Sequence, residues 1–191
     1  MNRPFSSPTL FDSNFPIEEQ LPRIYDVHFR EISRGKVAIY INNKQIGDVL
    51  TDNSYNDDGY RFHDIFHFSY AAILGWSPCV RKMLNRKRKS DSKVDEVQDG
   101  ARAIITEEAI SLLVYKHAQE NNFFADAQKI DVSLLKTIVK LTNNFEVQSR
   151  SLLQWEKAIL AGYSGFRFLV RHKNGVIRIN MLKQELLYFS N

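Results

Sequence analysis

Paired cysteines and long apolar runs are both absent from this sequence of 191 residues. The single cysteine, Cys79, excludes an internal disulfide and fits a reducing compartment. No apolar run approaches the roughly 18 residues that a membrane-spanning helix needs, and the stretch MNRPFSSPTLFDSNFP lacks the apolar segment of a secretory signal. No P-loop or GxGxxG motif occurs. The sequence therefore predicts a cytoplasmic protein that does not enter a membrane.

Positive charge is concentrated in one short segment. Residues 81–93, RKMLNRKRKSDSK, carry seven basic side chains and one acid, a local charge of +6. Subtracting this from the net charge of +4 leaves −2 for the rest of the chain. Such a segment indicates a local anion site, with a nucleic-acid contact or a solvated surface as the alternatives. The candidate phosphate-binding residues are Arg86, Lys87, Arg88 and Lys89. Replacing all four with serine is expected to weaken nucleotide binding while leaving the melting temperature nearly unchanged.

The sequence divides into a polar N-terminal stretch and one folded domain. Residues 1–15 predict a flexible arm, and residues 16–191 predict a single domain. Alternating apolar and polar residues predict a small antiparallel sheet over 23–50, and NGVIRIN with ELLYFS predicts a C-terminal β hairpin. Helical patterns cover about 60–74, 78–88 and 94–119, with two further helices beginning near DVSLL and SRSLL. The predicted fold class is mostly α (α+β), with a helical bundle core flanked by the small sheet and the hairpin.

The segment GYRFHDIFHFSYAAILGWSP, residues 59–78, is the most unusual part of the chain. At 100° per residue its helix is apolar almost all round, which is typical of a buried central helix. The one polar patch on that helix consists of His63, Asp64 and His67. Histidines at positions i and i+4 lie on the same side of a helix and can bind one metal ion.

The helix predicted over 94–119 carries acids near its own apolar face. Glu108 lies in the middle of the apolar stripe of this helix, so we expect it to be buried and to face the helix that carries the two histidines. Glu96, Asp99 and Glu107 lie along one edge of the stripe. A buried carboxylate is costly unless it pairs with a cation, takes up a proton or binds a metal.

Together the two helices predict a divalent-metal site. The predicted metal ligands are His63, Asp64, His67, Glu96, Asp99 and Glu108. The ion is magnesium or manganese, or else iron or zinc, which histidine ligands favour. Metal ligands beside a cluster of cations form an arrangement that binds phosphorylated substrates. The alternative is a structural network in which the histidines only hydrogen-bond a facing glutamate.

The strings LTDNSYNDDGYRFHDIFHFSYAAILGWSP and RKRKSDSKVDEVQDGARAIITEEAI resemble the domain that accompanies MazG-type nucleotide pyrophosphohydrolases. The resemblance extends over about residues 15–188. It implies a bacterial, all-α protein related to enzymes that bind magnesium through E-x-x-E and E-x-x-D pairs. Those enzymes split nucleoside triphosphates into monophosphate and pyrophosphate.

Only part of that ligand pattern is present here. Glu96 and Asp99 match the E-x-x-D pair, whereas the E-x-x-E pair is missing. Either the polar patch of residues 63–67 takes the position of the missing pair, or Glu107 and Glu108 supply the other acids. Both glutamates are therefore candidate catalytic residues.

A different metal-dependent class shows a second resemblance. Phosphohydrolases of the HD type use an upstream histidine, an adjacent His-Asp pair and a later aspartate. This order is found in His28, His63, Asp64 and Asp99. However, the segment around His28 has the pattern of a strand, where the HD fold has a helix.

The sequence therefore favours a divalent-metal-dependent hydrolase acting on a nucleotide or nucleotide-like phosphate. The alternative is a non-catalytic module that binds nucleotide or nucleic acid and partners a MazG-type enzyme. A second copy of the chain is a further candidate partner.

Overall fold

The structure is a computed structural model that describes residues 10–190. Five strands and six α-helices make up these residues, together with several short 3-10 turns. The strands are β1 (Ile24–Ser33), β2 (Lys36–Ile41), β3 (Lys44–Leu50), β4 (Gly175–Asn180) and β5 (Glu185–Phe189). The helices are α1 (Asp64–Leu74), α2 (Pro78–Met83), α3 (Ser92–Val97), α4 (Ala101–Glu120), α5 (Val132–Leu141) and α6 (Leu152–His172).

All five strands belong to one antiparallel sheet in the order β3-β2-β1-β4-β5. Strand β1 is central because β2 pairs with it on one side, where His28 lies opposite Tyr40, and β4 pairs on the other, where the same residue lies opposite Val176. Alternate residues of β1, including Val27 and Phe29, are buried against the helices. This period-2 burial is expected for a sheet with one covered face.

The predicted architecture was wrong in two respects. The separate N-terminal sheet and C-terminal hairpin are halves of a single sheet, and the all-α fold implied by the resemblance is contradicted by these five strands. Local patterns identified the strands, but the pairing of β1 with β4 joins segments separated by most of the chain, which no local pattern encodes.

Helix α1 forms the centre of the core, and every one of its residues is buried. Its closest neighbour is α6, which approaches at Gly162: a Cβ there would lie 2.7 Å from the Ser69 hydroxyl oxygen. Aromatic rings fill the space around this contact, including Phe66 stacked on Tyr163. The predicted central position of this helix is confirmed by its burial.

The long helix predicted over 94–119 is interrupted at residues 98–100. Helix α3 ends at Val97 and α4 begins at Ala101, with the extended Gly100 between them. Only glycine fits there, because a Cβ would lie 2.0 Å from the Glu96 carbonyl oxygen. The interruption removes Glu96 and Asp99 from the angular frame of α4, whose own residues keep their relative positions.

The buried face of α4 is not the predicted one. Three of its seven buried residues are small, whereas Ile105 and Leu112 are 66% and 46% exposed. Glu107 is fully buried, and the side chain of Glu108 is 46% exposed. The buried residues of α4 are Ala103, Glu107, Ile110, Ser111, Val114, Tyr115 and Ala118.

The predicted N-terminal arm lies partly outside the described residues, which begin at Leu10. Within the described part, Asp12 is buried and accepts hydrogen bonds from the Leu21 amide, Arg23 and Arg81. These contacts attach residues 10–23 to the domain. Among residues 10–190, no helix combines the length and apolarity needed to cross a membrane.

Candidate metal centre

A cavity of about 380 Å³ opens between the end of β3, the start of α1, helix α2 and helix α4. It is open on one side and contains most of the polar patch that the sequence indicated. Its lining residues are Gly47, Asp48, Leu50, His63, Asp64, Cys79, Lys82, Met83, Ile104 and Glu108.

His67 lies behind this cavity, fully buried on α1, and is oriented by Glu107 of α4. Its Nδ1–H donates to Glu107 Oε1 over 2.8 Å. The same carboxylate accepts the Ser77 hydroxyl at 2.6 Å and the Cys79 backbone N–H at 2.8 Å. Three donors thus fix Glu107, and Glu107 in turn fixes the ring of His67.

The opposite ring nitrogen of His67 has no hydrogen-bond partner. Nε2 is completely buried and lies 3.5 Å from Glu108 Oε2, with no acceptor in hydrogen-bonding geometry among the described residues. A buried nitrogen without a partner is rare in proteins and needs a physical reason.

His63 is oriented in the same way, one helical turn before His67. Its Nδ1–H donates to the Tyr60 carbonyl over 2.9 Å, and the Tyr60 ring stacks on the imidazole at 4.3 Å. Its Nε2 lies 3.4 Å from Asp64 Oδ1 and lines the cavity. Both histidines therefore use Nδ1 for a fixed contact and leave Nε2 available.

This arrangement fits a divalent metal ion. Ligand atoms of His63, His67 and Glu108 all lie within 4.8 Å of one another. Metal-binding histidines commonly donate their second N–H to a carboxylate or a carbonyl, which fixes the tautomer and orientation of the ring. A catalytic metal site typically has three protein ligands and one open position, whereas a structural site has four protein ligands. Three candidate ligands beside an open cavity match the catalytic kind.

The electrostatics of the cluster favour a positive charge at the same point. Burial lowers the pKa of His67, but the Cys79 sulfur and the Glu107 carboxylate raise it more, so the net pKa is well above its usual value. Burial raises the pKa of Glu108, but its close contact with His67 and the charge of that ring outweigh burial and lower the pKa to about 2. Without a metal, a proton on His67 supplies this charge, and a bound cation would replace that proton.

The other two ionisable groups of the patch respond mainly to burial. Burial lowers the pKa of His63 and raises the pKa of Asp64. A neutral His63 is ready to bind a cation through Nε2. A carboxylate with a raised pKa is suited to accept a proton near neutral pH.

The adjacent glutamates of α4 should respond differently to the same substitution. Glu107→Gln is expected to lower the free energy of unfolding by about 1–3 kcal/mol, both with manganese and with chelator. The reason is that the glutamine NH₂ is itself a donor and would face a group whose hydrogen bond the Glu107 carboxylate accepts. Glu108→Gln is expected to change it by less than about 1 kcal/mol in chelator but to lose the stabilisation that manganese provides. Denaturant titrations of both variants in both buffers measure this. Equal effects of Glu108→Gln in the two buffers would remove Glu108 as a ligand.

The structure does not bring Glu96 and Asp99 to this site. Glu96 is exposed and pairs with Lys93. Asp99 is completely buried, where it accepts bonds from the backbone N–H and the guanidinium of Arg88. Of the E-x-x-D match, Asp99 is therefore part of a structural ion network, and Asp99→Ala is expected to affect stability rather than metal binding.

The HD-type order of residues is not assembled either. His28 lies on β1, where the described residues give it no contact with the cavity, and Asp99 is bonded to Arg88. Only His63 and Asp64 of that set line the cavity.

Most of the predicted phosphate-binding residues have other partners. Arg86 donates to the Ile17 carbonyl, and Lys87 pairs with Asp95 at 2.9 Å. Arg88 is buried between Asp99 and Glu146. Lys89 is exposed, and none of the four lines the cavity. Because the fourfold serine variant removes the buried Arg88, the structure leads us to expect a lower melting temperature for it rather than an unchanged one.

Sequence reasoning missed three residues of the site. Ser77 and Cys79 flank Pro78 at the start of α2, where Ser77 also caps the helix by accepting the Val80 N–H. Lys82 lines the cavity one turn later. A Ser-Pro pair is a recognisable helix start, so the position of Ser77 could have been predicted, although its bond to Glu107 could not.

The fold and site define an α+β domain with a histidine–carboxylate cluster beside an open cavity, which is the composition of a candidate metal-binding domain. A family model described as the MazG C-terminal domain matches residues 6–191. The chain belongs to this family. No curated protein and no solved structure matches it.

Proposed function

We propose that this domain is a divalent-metal-dependent hydrolase acting on a nucleotide or nucleotide-like phosphate. The observation that carries the proposal is the convergence of ligand atoms of His63, His67 and Glu108 within 4.8 Å of one another, beside an open cavity that His63 and Glu108 line. Membership of the MazG C-terminal domain family supports the choice of a nucleotide as the phosphorylated substrate.

The residues of the cluster divide into three roles. His63, His67 and Glu108 would hold the ion, and Glu107 is a positioning residue, because it is fully buried and its carboxylate accepts hydrogen bonds from His67, Ser77 and Cys79. A bound divalent ion supplies Lewis-acid polarisation and a lowered pKa of water. Asp64, which the sequence suggested as a ligand, is assigned here as the proton acceptor at Oδ1, because it lines the cavity and burial raises its pKa.

Lys82 is the residue best placed to bind the phosphate. It is exposed, it is the one lysine or arginine among the residues that line the cavity, and it forms no ion pair within the described residues. Asp48, Asp64 and Glu108 give the empty cavity a negative charge, which a divalent ion and Lys82 together would offset. The anion site indicated by the sequence is therefore assigned to Lys82 rather than to residues 86–89.

Hydrolysis is tested with a panel of nucleoside mono-, di- and triphosphates. Each is incubated with magnesium, manganese, zinc or iron(II), and the products are separated by chromatography. We expect metal-dependent release of phosphate or pyrophosphate that falls by about 100-fold or more in Asp64→Asn, the effect expected on loss of a general base. The control is Asp48→Asn, which changes a second acid of the cavity wall. Absence of turnover with every nucleotide and metal would refute the hydrolase proposal.

A non-catalytic module is the second candidate. It is favoured by the complete satisfaction of Glu107, because a network of three donors around one buried carboxylate holds α1, α2 and α4 together without any ligand. In that case the domain would bind a nucleotide, or a MazG-type protein, without cleaving any bond. Calorimetry that shows nucleotide binding unaffected by chelator, combined with no turnover, would favour this module.

A further inference from the structure

We propose that Cys79 is a ligand of the same ion, which makes the centre a thiolate-containing site for zinc, iron(II) or cobalt rather than for magnesium. This inference rests on the metal centre proposed above but does not require that the domain be catalytic.

The position of Cys79 supports this assignment. Its side chain lines the same cavity as His63 and Glu108, and its Sγ lies 3.8 Å from Glu108 Oε1. Ligand atoms of Cys79, His67 and Glu107 also lie within 4.8 Å of one another. The sulfur is therefore adjacent to two members of the proposed ligand set, on the side formed by α2.

A single carboxylate places both the cysteine and the histidine. Glu107 accepts the backbone N–H of Cys79 through Oε2 and the ring N–H of His67 through Oε1. Residues that bind a metal ion are commonly held in place by a hydrogen bond to a neighbouring carboxylate, as Glu107 holds His67 and Cys79 here. The unpartnered, fully buried Nε2 of His67 is a second, independent indication that a cation belongs beside this sulfur.

The exposures of the four proposed ligands suggest how a coordination position on the ion becomes available to substrate. His63, His67 and Cys79 are at most 9% exposed, whereas the Glu108 side chain is 46% exposed. Glu108 is thus the donor with room to move away when water or a phosphate oxygen enters. Two histidines and a cysteine would remain as the permanent ligands.

The chemistry of this donor set determines which ion binds. Thiolate and imidazole ligands select zinc, cobalt and iron(II), whereas magnesium prefers oxygen ligands in octahedral geometry. Binding breaks the Sγ–H bond of Cys79, forms a sulfur–metal bond and releases the proton to solvent through the cavity. No electron transfer is involved.

Cobalt(II) titration tests the inference directly. The wild type is expected to develop a near-ultraviolet thiolate-to-cobalt charge-transfer band, and only Cys79 can produce it, because the chain has one cysteine. The near-isosteric Cys79→Ser variant should lack the band and bind cobalt at least about tenfold more weakly. X-ray absorption of the zinc-loaded wild type should show one sulfur neighbour at about 2.3 Å, a measurement that does not depend on the folding of a variant.

The possible results separate this inference from the proposed function. Cobalt binding without the charge-transfer band and zinc without a sulfur neighbour would overturn the role of Cys79 while leaving the centre formed by His63, His67 and Glu108 intact. A charge-transfer band together with no nucleotide turnover would support the thiolate centre and refute hydrolysis. No binding of cobalt or zinc would overturn both.

Discussion

Replacing Arg88 with alanine is expected to lower the free energy of unfolding by roughly 3–5 kcal/mol, the cost of removing one partner from a buried ion pair. Arg88 is 1% exposed and donates to both oxygens of Asp99 and to both oxygens of Glu146. Asp99 is itself fully buried, so the substitution leaves its carboxylate without its main partner; Arg81 Nε lies 3.7 Å away.

Lys89 provides the matched control for this prediction. It is the next residue of the same basic run, yet it is exposed, so Lys89→Ala should change stability by less than about 0.5 kcal/mol. Urea denaturation of the two variants and the wild type measures the difference. Similar stabilities for Arg88→Ala and Lys89→Ala would show that the buried network contributes little to this fold.

His67→Ala is expected to weaken divalent-metal binding by more than about 100-fold. Loss of an outer-shell partner already costs 10–100-fold in metal affinity, and His67 is assigned as a direct ligand. The variant also removes the ring that Glu107 positions, so its folding is checked by circular dichroism before metal binding is measured. Isothermal titration with zinc and manganese gives the affinities.

The control for His67 is a histidine outside the cluster. His172 is exposed at the end of α6 and contacts Phe168, so His172→Ala should bind metal as the wild type does. A folded His67→Ala variant with wild-type affinity would exclude the proposed centre. The same outcome would favour the structural network as the reason for the histidine–glutamate bond.

The part of the site that lies within one helix could be predicted from sequence. His63, Asp64 and His67 are close in the chain, and the geometry of α1 alone brings them to one patch. What the sequence could not reveal is that Nδ1 of both histidines is occupied, because Tyr60 contributes a backbone carbonyl and Glu107 lies 40 positions away.

Glu107 and Glu108 exchanged their predicted environments because tertiary packing, and not the stripe of large apolar residues, decides which face of α4 is buried. The interruption at Gly100 separates Glu96 and Asp99 from α4, but the two glutamates and the stripe from Ile104 to Tyr115 lie within α4 and keep their relative angles. The stripe was therefore misleading in itself. Ala103, Ser111 and Ala118 are buried, whereas Ile105 is exposed.

The basic run was misinterpreted because ion pairing is a tertiary property. Seven positive charges in residues 81–93 suggested a binding surface, but several of them are paired with acids that follow closely, and two with acids of distant segments. Arg88 pairs with Glu146, 58 positions away, and Arg81 with Asp12, 69 positions away. The amino-acid sequence gives the number of charges in a segment, but it does not give which of them are paired in the folded protein.

The pairing of β1 with β4 has a consequence for how the protein folds during synthesis. Asp26 on β1 and Arg178 on β4 form a bidentate ion pair although 152 positions separate them. Strand β1 is translated before β4, so its second edge has no partner until the intervening residues and β4 have been made. Because such distant contacts form late and at a high entropic cost, the nascent chain must carry an open strand edge while these residues are synthesised. Chaperones that shield unpaired strands would therefore be expected to affect its yield more than its final stability.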